Sequence, residues 1–158
     1  MFTIKDLPRL IISIVGCELV GILSTLFTRV AIPTWYIALI KPSFSPPNWI
    51  FGPVWTLLYF LMGISFYLIW KQGWKNKVKI AGVFFLSQLA LNFLWSFLFF
   101  GLRSPLLGLI DILALWGLIV ITMKKFYPLS KLAFYLLIPY ILWVTFATIL
   151  NASILILN

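Results

Sequence analysis

Polar side chains recur at helical spacing inside two long apolar runs, and a binding chemistry could be built from them. In the run around 80–101, Gln88, Asn92, Trp95 and Ser96 fall on one helix face. In the run around 131–156, Tyr140, Trp143, Ala147 and Asn151 make a second stripe, with Thr148 beside it. Other apolar runs contribute Glu18, Tyr59 near Thr56, and Asp111. Together they describe an apolar cavity with a few convergent polar groups and aromatic walls, the makeup of a small-molecule pocket. A second reading stays open for Gln88 and Asn151, as interhelical hydrogen bonds worth roughly 0.6–2 kcal/mol each. Glu18 also admits a structural role, whereas carboxyls inside a bilayer are in general rare and face the interior of a bundle.

The stretch Trp35 to Tyr59, WYIALIKPSFSPPNWIFGPVWTLLY, concentrates three Trp, two Tyr, two Phe and four Pro. Its aromatics offer flat, polarisable surface, and its prolines stiffen the backbone that presents them. A simple spacer needs no such composition; a site for a large, flat, apolar molecule does. Hydrolytic and phosphoryl-transfer chemistry find no support. The chain has no His, no phosphate-binding glycine loop and no nucleophile elbow. Without His, the commonest ligand for zinc and haem iron is missing, and no metal site is expected.

The elements that must position these residues follow from composition. Hydrophobic residues make up 63% of the 158 positions, against twelve Lys or Arg and three Asp or Glu. So apolar a chain belongs in a bilayer. A spanning helix needs about 20 apolar residues. Five runs meet that length, at roughly 8–28, 47–70, 80–101, 105–123 and 131–156. The expectation is an all-α membrane protein, one domain over 1–158, with a long first loop at about 29–46. Repetition of apolar runs along the chain argues that the first is not a removable signal peptide. Ser104 before Pro105 reads as a helix N-cap. Pro53 and Pro139 interrupt the second and fifth helices, freeing the carbonyls of Trp49 and Tyr135. Ser13, Cys17 and Gly21 form a small-residue face on the first helix, able to meet a helix of this chain or of a second subunit.

The net charge of +9 sits in short loops, which points to lipid headgroups and topology rather than nucleic acid. Lys5, Arg9, Lys71, Lys75, Lys77, Lys79, Lys124, Lys125 and Lys131 share one side; Arg29, Lys41 and Arg103 share the other. That imbalance predicts an N-terminus in the cytoplasm and a C-terminus outside.

With residues in this order, the chain resembles the translocator protein family, also called tryptophan-rich sensory proteins or peripheral-type benzodiazepine receptors. The resemblance rests on Trp35–Tyr59, on SQLALNFLWSFLFFG at Ser87–Gly101, on the Asp111 region and on PYILWVTFATILN at Pro139–Asn151. It implies a five-helix bundle, usually a homodimer, that binds porphyrins such as protoporphyrin and synthetic isoquinoline or benzodiazepine ligands. It implies ligand contacts at Trp49, Tyr59, Asn92, Trp95, Trp143, Ala147 and Asn151. Some bacterial relatives degrade protoporphyrin in light and oxygen with paired tryptophans. The resemblance then gives Trp49 and Trp143 a redox role, with stacking alone as the alternative. No cofactor is required, since porphyrin is ligand or substrate. The animal members' cholesterol pattern is absent from the tail Asn151–Asn158, which speaks against sterol binding as the main role. The expected location is a bacterial cytoplasmic membrane. Transport of a tetrapyrrole or small apolar ligand, and a non-catalytic regulatory scaffold, are the competing functions.

Overall fold

Apolar runs long enough to cross a bilayer must close their backbone hydrogen bonds within themselves, and helices do so. The computed structural model describes residues 6–158, so Lys5 of the charge asymmetry lies outside the described residues. It holds five helical stretches of sufficient length and apolarity: Leu7–Tyr36, Asn48–Trp70, Asn76–Gly101, Pro105–Phe126 and Lys131–Leu157. The all-α, five-span architecture is therefore as the sequence predicts.

The first stretch departs from its expected end near 28. Helix α1 runs Leu7–Ala31 and continues through a widened turn at Ile32–Tyr36. Pro33 lacks an N–H and would press on the Arg29 carbonyl in a regular helix. Opening the turn to the wider π geometry accommodates it without ending the helix. Trp35 and Tyr36, read from sequence as loop residues, are thus helical, and the connection to the second span is correspondingly shorter.

A three-residue turn, Asn48–Ile50, leads into α2 (Phe51–Trp70). Pro53 therefore sits in the first turn of α2, where its missing N–H costs nothing. Helix α1 packs directly on α2 through the small-residue face. A Cβ built on Gly63 would lie 2.5 Å from the Ile14 Cα and 3.0 Å from the Ser13 carbonyl oxygen. The partner of Ser13 and Cys17 is thus a helix of the same chain.

Helix α3 (Asn76–Ser96) ends in a second widened turn, Phe97–Gly101. The chain reverses through Arg103, in the left-handed region at φ 53°. Ser104 then caps α4 (Pro105–Phe126), accepting from the Leu107 N–H at 3.3 Å, as its position before Pro105 predicts. The fifth span is broken into α5 (Lys131–Leu136) and α6 (Ile138–Leu157). Pro139 forces the break. At the break the Leu137 N–H turns to Phe134, and the Ala133 carbonyl accepts from Ser65 Oγ of α2 at 2.7 Å. Protein thereby re-satisfies backbone that a proline has disturbed.

Helix α4 lies between α3 and α6, while α1 packs on α2 and α3. Near the loop joining α2 to α3, the bundle is locked by parallel rings. Phe66 stacks on Phe85 at 4.7 Å, and Phe85 on Phe126 at 5.8 Å. At the opposite end the helices part around a cavity.

Candidate functional site

The cavity, about 290 Å³, is walled by four of the five spans. Its aromatic surface comes from Tyr36 at the end of the first span, Phe51, Trp55 and Tyr59 of α2, Trp95, Phe99 and Phe100 of the third span, and Trp143 of α6. Helix α1 adds Glu18, Gly21 and the hydroxyls of Ser24, Thr25 and Thr28, and α6 adds Ala147, Leu150 and Asn151.

Each wall has a local cause. Trp55 and Tyr59 are one helical turn apart, with ring centroids separated by 5.6 Å. Trp95 stacks on Phe99 at 5.1 Å, and Phe100 meets both edge-on. The widened turn at Phe97–Gly101 aims these two phenylalanines. The turn at Ile32–Tyr36 brings Tyr36 against both.

Beneath the cavity a chain of polar side chains ties three helices together. The Tyr59 hydroxyl donates to Asn92 Oδ1; Asn92 Nδ2 donates to the Tyr140 hydroxyl at 2.9 Å; Tyr140 donates to Gln88 Oε1 at 2.7 Å. All four residues are buried. A second brace crosses the far wall. Trp95 Nε1 donates to Asn151 Oδ1 at 3.2 Å, and Asn151 Nδ2 donates to the Pro105 carbonyl at 2.8 Å. Gly108 makes room for it, since a Cβ there would lie 2.9 Å from Asn151 Oδ1.

Of the seven ligand contacts implied by the resemblance, five line the cavity: Tyr59, Trp95, Trp143, Ala147 and Asn151; Glu18, Thr56 and Ser96, read from the polar stripes, line it too. Asn92 does not; it stands behind Tyr59 and is 3% exposed. Trp49 does not either, and is 73% exposed. The three-residue turn explains this. Asn48 and Phe51, three apart, both face inward, which leaves Trp49 on the outer side. Asp111 is buried but off the wall, with Oδ2 unpartnered among the described residues.

The indole N–H of Trp143 is buried and finds no acceptor among the described residues. Its ring meets Phe51 at 6.1 Å and Phe146 at 5.4 Å. The loop after Ala38 runs between Tyr36 and Asn48, which both line the cavity. It is tied at three points. Lys41 Nζ lies 4.8 Å from the Tyr36 ring centre, Phe44 packs on Phe146 at 6.3 Å, and the Asn158 side-chain amide pairs with Ile40. In that pairing Ile40 N–H donates to Asn158 Oδ1 and Asn158 Nδ2 donates to the Ile40 carbonyl, each at 3.0 Å.

Among the described residues no group of three His, Cys, Asp or Glu is placed to hold a metal ion. What the arrangement offers is an aromatic slot with a buried, unpaired indole donor, Trp143, and a carboxyl, Glu18, on the wall. Sequence reasoning missed Trp55, Phe99, Phe100 and Tyr36. The spacing of Trp55 four residues before Tyr59 could have revealed the first.

The family model described as TspO/MBR family matches residues 13–157. The chain belongs to the TspO/MBR family. It is 48% identical over 153 residues to the tryptophan-rich protein TspO of Archaeoglobus fulgidus, covering 97% of this chain and 99% of that one. A protein of the same name from Chlorobaculum tepidum is 46% identical, with 98% of each chain covered. The human translocator protein is 43% identical over 119 residues, or 74% of this chain and 70% of its own. Family membership and five apolar spans together make this TspO/MBR chain an integral membrane protein.

Proposed function

We propose that this membrane protein is a receptor for a flat, apolar, metal-free porphyrin such as protoporphyrin, and that it also accepts isoquinoline- or benzodiazepine-type ligands. The carrying observation is the cavity whose wall is built from eight aromatic side chains, with the buried Trp143 indole N–H unpaired among the described residues. Aromatic faces reward stacking, and the Trp143 donor would orient a ligand that carries an acceptor. At about 290 Å³ the cavity sits at the lower end of the roughly 300–1,000 Å³ of small-molecule sites. A macrocycle would therefore be held in part by the wall and in part by the mouth, where the first loop and the exposed Trp49 lie.

The same reading extends to photochemistry. A light-excited porphyrin can take an electron from a stacked indole, with dioxygen as the final acceptor. Trp143, on the wall, is the direct donor in this scheme, and Trp49 is a partner at the rim. The basic-residue asymmetry supports placement in a cytoplasmic membrane with the N-terminus inside and the mouth outside, and the family relationship supports a homodimer.

Mixing purified protein with protoporphyrin in the dark and under light tests the proposal. Dark quenching of tryptophan fluorescence, followed by oxygen-dependent loss of the porphyrin band that Trp143→Phe abolishes while still binding, supports receptor and photochemical activity together. Binding with bleaching no faster than that of free porphyrin removes the degradation step and leaves a sensor. Counterflow of porphyrin in proteoliposomes would instead favour transport.

A further inference from the structure

A second recess lies at the other end of the bundle, between α1 and α3, and the porphyrin reading does not use it. It measures about 400 Å³ and is lined by Ile12, Ser13, Gly16 and Cys17 of α1, by Phe66 and Trp70 of α2, by Trp74, and by Phe85, Leu86 and Leu89 of α3. It opens sideways, since Ile12, Trp74 and Leu86 are each about half exposed or more. Its wall is mostly hydrocarbon, and its one hydroxyl belongs to Ser13. Ser13, 4% exposed, keeps an Oγ that finds no hydrogen-bond partner among the described residues.

Positive charge gathers where this groove meets the membrane surface. Arg9 stands four residues before Ser13 on the same face of α1, about 6 Å along the axis. Lys71 and Lys75 directly follow the wall residues Trp70 and Trp74. Lys71 Nζ lies 5.4 Å from the ring centre of Tyr67, beside the wall residue Phe66 in sequence. Asp6, three residues before Arg9, subtracts one charge from the three.

We propose that this groove holds an acyl chain of an anionic glycerophospholipid from the surrounding bilayer. The phosphate lies against Arg9, Lys71 and Lys75, and a glycerol ester oxygen accepts from Ser13 Oγ. Depth and chemistry agree, because a lipid carries its esters just below its phosphate, as Ser13 lies four residues below Arg9. Trp74 at the edge suits the headgroup level, where amphipathic rings collect. A second copy of the chain is a poorer occupant. Self-pairing across this face would bring two basic mouths together, whereas an anionic lipid neutralises one.

Native mass spectrometry on the full chain, extracted from vesicles of equimolar phosphatidylglycerol and phosphatidylcholine, tests this. The expected result is one retained phosphatidylglycerol per chain, favoured over phosphatidylcholine by about fivefold or more. Gly16 supplies the decisive variants, because a Cβ built there meets nothing within 4 Å. Gly16→Leu projects into the groove and should abolish the adduct, while Gly16→Ala retains it. The triple change Arg9→Gln, Lys71→Gln, Lys75→Gln should bring the two lipids to parity. Equal retention of both lipids by the wild type overturns the proposal, as does an undiminished adduct in Gly16→Leu. A Gly16→Leu chain that loses subunits and no lipid would assign the groove to a second copy and overturn it equally.

Discussion

The phenol ring of Tyr59 lies flat against Gly21: a Cβ built on Gly21 would sit 2.6 Å from two of its ring carbons. Tyr59 is 3% exposed and its hydroxyl is held by Asn92, so its ring can give way only toward the cavity it lines. Gly21→Ala should therefore push the ring into the cavity and strain its hydrogen bond. The expected cost is about 1–3 kcal/mol, the usual range for overpacking. Thermal unfolding in detergent should show the drop, and porphyrin quenching should weaken with it. Gly117→Ala is the control, because its Cβ would meet nothing within 4 Å; its melting temperature should be unchanged or higher.

Gly63→Ala should be harsher still. The atom it would strike is the Ile14 Cα, which is backbone and cannot rotate away. Helices α1 and α2 would have to separate. Unfolding of this variant should come well below that of Gly21→Ala, and an equal or higher melting temperature would contradict the close approach.

Stability and ligand binding should separate between two aromatic residues of α6. Tyr140→Phe leaves Asn92 Nδ2 and Gln88 Oε1 without their partner, at about 1–3 kcal/mol per stranded group. It should lower the melting temperature while the cavity wall keeps its shape. Trp143→Phe removes an N–H that has no partner among the described residues, so stability should hold while porphyrin affinity falls. Trp49→Phe, remote from the wall, should reduce affinity less than Trp143→Phe.

Releasing the loop should change rates more than stability. Asn158→Ala removes both hydrogen bonds to Ile40 and leaves the bundle intact. Amide exchange across residues 39–47 should quicken, and porphyrin should enter and leave faster in stopped-flow quenching. Unchanged exchange there would show that Lys41 and Phe44 hold the loop by themselves.

The spans were legible because length and apolarity decide them locally. The stripe from Tyr140 to Asn151 was legible because helical periodicity needs no knowledge of neighbours. What escaped depends on partners in other helices. Asn92 looks like a pocket amide in sequence, yet Tyr59 and Tyr140 occupy it; Asn151 fulfils both readings left open for it, lining the cavity while bonded to Trp95 and the Pro105 carbonyl. The first span is expected from sequence to end near 28, yet α1 continues past Pro33 by widening a turn, with Tyr36 packed on Phe99 beyond. The outward face of Trp49 turns on a three-residue turn that one sequence cannot distinguish from a regular one.

The widened turn at Phe97–Gly101 amounts to one residue inserted into a helix. Each residue of a regular helix advances the face by about 100°. Deleting one position within 97–101 would keep the composition and the apolarity of the span. It would nevertheless swing the residues beyond the deletion around the axis and uncouple Phe100 from Trp95 and Tyr36. Chain length at this point, counted to a single residue, is thus a determinant of cavity shape, and relatives aligned with a one-residue gap here would be expected to present a different slot.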